Sequence, residues 1–202
     1  MPRRLTAAAR REKILTASMG LFARYGSAGA RTRDLARAAG VSEAMVFRHF
    51  PDKDALYRAI LRRKIEEAER ALPLSSLATS DEPPAQFFGR IAANLLQRIE
   101  DDPSFMRLLL FSALEGHPLA QAFDRARAAG LRLVIAAYLR RQARKGTFRR
   151  LDAPVAARSF VGLVAWFAMA RMIFREPGAL RVPRRRLVRE IVSLFLDGVR
   201  SK

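Results

Sequence analysis

An all-helical fold is predicted for this chain of 202 residues, and three observations predict it. Apolar residues recur at helical spacing along most of its length, no stretch alternates apolar and polar residues as a strand does, and the periodic stretches stop at Pro or Gly. The pattern divides into about nine helices. Residues 1–52 read as a three-helix unit, and residues 53–202 as a larger helical domain.

Taken in order, residues 2–10 are basic and weakly patterned, suiting either an arm along a phosphate backbone or minor groove, or a frayed terminus. Arg11 to Tyr25 form an amphipathic helix with Ile14, Leu15, Leu21, Phe22 and Tyr25 inward, followed by a Gly26/Gly29 loop. Thr32 is a candidate N-cap for a second helix whose apolar face is Leu35, Ala36 and Ala39, and Gly40 can adopt the left-handed conformation that ends it. Val41 returns the chain to the core, Ser42 can cap a third helix, and Val46 and Phe50 bury one side of it. A small residue at 36, glycine at 40 and an aliphatic anchor at 46 are the spacing of a helix-turn-helix, whose second helix reads the major groove.

Pro51-Asp52-Lys53-Asp54 starts a fourth helix, continued by Leu56, Ile60, Ile65, Ala68 and Leu72, with Arg62, Arg63 and Lys64 on a solvated face near the motif. Pro73 to Pro84 is rich in Pro, Ser and Asp and reads as a loop. Helices are then expected over Pro84 to Asp101, Ser104 to Glu115, a long one from Pro118 to Lys145, Pro154 to Arg175, and Pro183 to Val199. Glu115-Gly116-His117 reads as a cap and turn. The helix ending at Arg175 is apolar nearly all round, so it must be covered on most sides, and Leu187, Val188, Ile191, Val192, Leu194, Phe195 and Val199 make the last helix its amphipathic partner.

The stretch ILTASMGLFARYGSAGARTRDLARAAGVSEAMVFRHFPDKDALYRAIL resembles the DNA-binding domain of the TetR family of bacterial transcriptional repressors. The resemblance spans residues 11 to 61, with Leu35, Ala44 and Phe47 standing where isoleucine, glycine and tyrosine are common. It implies a dimeric repressor on a palindromic site in double-stranded DNA. In the third helix Ser42, Glu43, Ala44, Met45, Phe47, Arg48 and His49 lie near or in the groove. Arg48 can take guanine O6 and N7 or a phosphate, Glu43 can accept from cytosine N4 or cap its helix, and Met45 and Phe47 offer apolar contact or packing. Thr32 and Arg33 open a helix whose amides can receive a phosphate. The resemblance implies backbone contacts for His49 and a phosphate clamp for Lys53.

It also implies a homodimer through the last two helices, and a small-molecule effector, largely apolar and of unknown identity, held in the larger domain so that binding it releases the DNA. The candidate cavity residues are Phe87, Phe105, Met106, Leu109, Leu110, Trp166, Phe167 and Arg171, with ordinary core packing the alternative for the apolar ones. Arg171 suits an anionic ligand, a carboxylate on another helix, or solvent.

Composition narrows the function classes. The chain has no cysteine, which excludes thiol chemistry and cysteine-held zinc, and its two histidines are far apart, so neither an enzyme nor a metal site is expected and no cofactor is called for. The net charge is +19, and the first 64 residues carry 15 Lys and Arg against 5 Asp and Glu, a density that favours phosphate backbones. The longest uncharged apolar run, between Arg158 and Arg171, is 12 residues, short of the roughly 20 that span a bilayer. No membrane association is expected, and a soluble, cytoplasmic protein is.

Overall fold

The computed structural model describes residues 6–200, so residues 2–5 of the basic N-terminal stretch lie outside it. Among the described residues there is no strand, only a single antiparallel bridge between Phe148 and Arg200. Within the described residues, nine α-helices of seven or more residues and three single turns run in the order α1 Ala7–Gly29, α2 Thr32–Ala39, α3 Glu43–His49, α4 Lys53–Ala71, α5 Leu74–Ala78, α6 Pro84–Asp101, α7 Ser104–Leu114, α8 Leu119–Phe123, α9 Ala129–Arg144, α10 Ala153–Met172, α11 Pro177–Arg181 and α12 Arg184–Val199. They sort into two compact units, one of residues 6–66 with Ser104–Phe123, the other Glu67–Pro103 with the chain from Asp124 onward. The division falls inside α4 and takes α7 and α8 into the first unit.

The first unit is built on Ile14, Leu15, Phe22, Leu35, Ala39, Val46, Phe50, Leu56, Tyr57 and Ile60, joined by Leu108 of α7 and Leu119 of α8. Phe22 stacks on Tyr57 at 4.4 Å. Each of the larger aliphatic and phenylalanine side chains among these, withdrawn from water, supplies about 1.5–3 kcal/mol of hydrophobic stabilisation. Tyr25, expected to face inward, is instead 47% exposed, because α1 breaks at Gly26 and its last turn leaves the packed face.

The second unit has an aromatic centre. Phe87 stacks face to face on Tyr138 at 3.8 Å, Phe88 meets Phe160 edge-on at 4.7 Å, and Phe160 lies 5.0 Å from Phe195. Thus α6, α9, α10 and α12 each place a ring in one core, and Tyr138 satisfies its hydroxyl by donating to Glu82 O at 2.7 Å.

Three segments differ from the expected elements. Residues 73–84 contain a helical turn, α5, because Leu77 is fully buried and Pro73 O gathers the Ser76 hydroxyl and Leu77 N–H. The long helix from Pro118 is interrupted by a π-turn, Asp124–Ala128. Widening the helix there turns Arg127 inward, where its guanidinium donates to Ala68 O and Leu72 O at the end of α4, and burial lowers its pKa. Lys64 is buried and Arg63 half-buried against Glu12 and Thr16, so that basic run is not a wholly solvated face.

Helix α10 extends past both arginines that bound its apolar run, so at 20 residues it is long and apolar enough to cross a membrane by length and composition alone. A core helix passes the same test, and here Ala157, Phe160, Val164 and Ala168 are buried in the second unit.

Candidate nucleic-acid interface

Local chemistry shapes the turn between α2 and α3. Gly40 takes φ 62°, ψ 41°, its N–H reaching Arg37 O at 3.0 Å, and Val41 N–H returns to Ala36 O at 3.0 Å, so the last carbonyls of α2 are satisfied without another turn. The Ser42 hydroxyl accepts from Met45 N–H at 3.2 Å and starts α3. Thr32 is not the cap of α2 but its first residue; Arg31 holds the cap position and makes no side-chain capping bond.

With Val46 and Phe50 buried, α3 turns Glu43, Ala44, Phe47 and Arg48 outward and leaves Met45 and His49 half-buried. Phe47 is 49% exposed, a large apolar ring in water beside Arg48. Arg33 and Ser42 are exposed and Thr32 half-exposed, so the residues expected at DNA are displayed along α2 and α3. Helix α1 adds two cations that sequence reasoning gave no role. The Arg11 guanidinium lies over the Phe50 ring at 4.9 Å, and Lys13 comes so near the turn that a Cβ on Gly40 would stand 3.1 Å from its Nζ. Their helical phase, three and one residues before Ile14, was the available signal.

Lys53 is held from within. Its Nζ donates to Ser27 O at 2.9 Å, so at least one of its three protons is directed at the loop after α1. Asp52 caps α4 by accepting from Ala55 N–H, Ser27 N–H donates to Glu115 Oε2 at 2.9 Å, and His117 Nε2 stands 3.3 Å from Asp54 Oδ1 with its ring 4.4 Å from that of Tyr57. Burial pushes the Tyr57 hydroxyl up to about 12, against the pull of Ser27 and with help from the Glu115 and Asp54 carboxylates. Glu115 and His117, read as a cap and turn, therefore also anchor the loop after α1 and the start of α4.

The eight cavity candidates divide between the units. Phe105, Met106, Leu109 and Leu110 are half-buried on α7, with Phe105 edge-on to Phe123 at 5.1 Å. Phe87 is wholly enclosed in the second core, Phe167 packs half-buried against it, and Trp166 is 54% exposed, 5.9 Å from Phe174. Arg171 meets the carboxylate of another helix, Glu100 on α6, at 2.8 Å.

The described residues are helical and carry this turn between α2 and α3, which makes the chain a helix-turn-helix protein by architecture. The family model for bacterial regulatory proteins of the tetR family matches residues 14–60, and that for the C-terminal domain of AefR-like transcriptional repressors matches residues 87–198, more than half of the chain. The chain belongs to the TetR family, whose members are transcriptional regulators and not enzymes. The HTH-type transcriptional repressor Rv1474c of Mycobacterium tuberculosis is 35% identical over 113 residues, covering 50% of this chain and 56% of that protein. The chain thus spans about half the length of the curated relatives it matches. Among solved structures, the fatty acid degradation regulator FadR of Bacillus halodurans aligns at TM-score 0.73 and 17% identity over 99% of this chain and 100% of that one. FadR of Bacillus subtilis in complex with stearoyl-CoA aligns at 0.74 and 13% identity over 93% and 98%. At such identities the likeness is one of fold.

Proposed function

We propose that the protein is a sequence-specific DNA-binding repressor that acts as a homodimer on a palindromic operator and is released by a small, largely apolar ligand. The carrying observation is α3, anchored by Val46 and Phe50 yet displaying Glu43, Ala44, Phe47 and Arg48 to solvent. A short helix that spends two anchors on packing and exposes an arginine beside an aromatic ring is built to be inserted into a groove. Residues 1–52 read DNA in this proposal, and residues 53–202 dimerise and hold the effector. Arg33, Arg48, His49 and the N-terminus of α2 at Thr32 meet the duplex, with Arg11 and Lys13 near its backbone.

The homodimer reading is supported by α10, where Val155, Leu163 and Trp166 stand 60%, 39% and 54% exposed along one stripe at helical spacing, and by Leu194, 69% exposed on α12. A stripe of this kind calls for cover, and a second copy across a two-fold axis supplies the same stripe. The apolar effector is supported by the half-buried apolar face of α7 and by the ligand named for the Bacillus subtilis neighbour, stearoyl-CoA. A cytoplasmic location follows from the proposed partner, chromosomal DNA.

Selection of binding sites from random duplex DNA at moderate salt, with footprinting of the winners, tests the reading. A palindrome with half-sites about one helical turn apart is expected. Enrichment of no sequence, with affinity collapsing as salt rises, would refute it.

A further inference from the structure

Helix α1 is broken at Gly26. In an unbroken helix Ser27 N–H would donate to Ala23 O, four residues back. Gly26, at φ 70° and ψ −177°, turns the chain out of the helix and separates the two groups. Both find partners at α7. Arg107 Nε donates to Ala23 O at 2.8 Å, and Glu115 Oε2 accepts from Ser27 N–H at 2.9 Å. Arg107 on α7 thus replaces the donor that Ala23 O lost, and Glu115, just past the C-terminal end of α7, the acceptor that Ser27 N–H lost. The fit is close: a Cβ on residue 26 would lie 2.9 Å from the Glu115 carboxyl carbon and 3.3 Å from the Phe111 ring.

What the clasp holds is the exit of the chain towards the helix-turn-helix. Ser27 is five residues before α2, and its carbonyl takes Lys53 Nζ, the first residue of α4. The same turn after α7 reaches α4 again through His117 and Asp54, and is itself braced by Ser112, whose hydroxyl donates to His117 O at 2.8 Å and accepts from Ala120 N–H at 3.1 Å. The direction in which α2 leaves α1 is therefore set by side chains from far along the chain.

We infer that Arg107 and Glu115 are positioning residues for DNA reading: they hold the Gly26 break in the one geometry that presents α3 to a groove, without touching DNA. This rests on the DNA-reading role proposed above. Charge alone gives the opposite expectation for Glu115. It is an exposed carboxylate in a basic unit, and removing it from an electrostatic binder would tighten binding to any duplex. A positioning residue loses selective binding instead.

The test uses the full chain and compares Glu115→Ala, Glu115→Gln and Arg107→Met with wild type, on the duplex that wild type selects and on random duplex, together with hydrogen exchange at the Ser27 amide. Glu115→Ala is expected to lose roughly tenfold on the selected duplex, the factor that one charge-assisted hydrogen bond supports, and to hold or gain on random duplex. Glu115→Gln, whose amide oxygen can still accept, recovers part of the loss, and should Glu115→Ala fail to fold, this variant carries the same comparison. Arg107→Met weakens selective binding, and added to Glu115→Ala it costs less than the product of the two, since either breaks the same junction. Exchange at Ser27 speeds up in Glu115→Ala. Equal tightening of Glu115→Ala on both duplexes, or a Ser27 amide that exchanges at the wild-type rate, would overturn the inference. Failure of wild type to select any sequence refutes DNA reading, while the exchange measurement still decides the clasp by itself.

Discussion

Arg171 and Glu100 form the charged joint of the second unit, with Arg171 Nε 2.8 Å from a Glu100 oxygen and both side chains largely withdrawn from water, at 12% and 15% exposure. The same guanidinium donates through Nη1 to Ala179 O and Val182 O, holding the segment around α11, and Arg184 adds a second contact to Glu100 at 3.3 Å. An arginine inside an apolar helix thus has a structural partner on α6. Replacing it by methionine leaves the buried Glu100 carboxylate with only the longer Arg184 contact and takes the donor from two carbonyls. Arg171→Met is expected to cost about 2–4 kcal/mol in urea denaturation, and the double variant with Glu100→Gln less than the sum of the singles.

Gly26 and Gly40 both have positive φ, yet alanine should cost much more at the first. At Gly40 the conformation is ordinary left-handed helix and the nearest obstacle is the mobile end of Lys13 at 3.1 Å. At Gly26 the backbone lies where essentially only glycine goes, and the new methyl would displace Glu115. Gly40→Ala is expected to lose about 1 kcal/mol and Gly26→Ala at least about 2, measured by thermal or urea unfolding.

Tyr138 and Tyr57 make the protein sensitive to alkali. Burial raises each hydroxyl to about 12, above the unfolded value of 10.0, so folding favours the neutral form. The contribution is intact below pH 10 and is lost as pH rises towards 12. Denaturation across that window should show stability falling with pH. Tyr138→Phe should flatten the fall, while costing about 1 kcal/mol at neutral pH through the lost bond to Glu82 O.

The exposed stripe of α10 predicts oligomeric behaviour. Leu163→Glu and Trp166→Glu place a charge where water already reaches, so each chain should keep its helical circular dichroism. Light scattering should find monomer, and affinity for a palindrome should fall by at least about tenfold while a single half-site is unaffected.

Arg48→Ala should relax preference at one base pair per half-site by about 1–3 kcal/mol. Lys53→Ala should weaken all sites alike and also lower the thermal midpoint, because it removes the Ser27 O contact as well as a cation. Identical effects of the two substitutions on sequence preference would refute the division between base and backbone roles.

Several elements are legible in the sequence. Gly40, Ser42, Val46 and Phe50 act within one turn of their own positions, through a left-handed cap, a hydroxyl cap and a helical face. α6 runs from Pro84 to Asp101, as proline entry and the Asp102-Pro103 break indicate. Where the reading missed, the cause lay at a distance. The α5 turn exists because Leu77 found a core, Tyr25 faces water because α1 breaks one residue later, and the π-turn admits Arg127 to the carbonyls of α4.

The sequence by itself determined an all-helical chain with a helix-turn-helix near its start, because periodicity, caps and turn residues are properties of neighbours in the chain. Tertiary structure alone decided that Arg107 and Glu115 complete the broken bond of α1, that Arg171 belongs to Glu100, and that Trp166 faces outward while Phe87 is sealed in. Those pairings join residues 71 to 88 positions apart, and burial depends on which helices arrive to cover a face. No local pattern encodes either one.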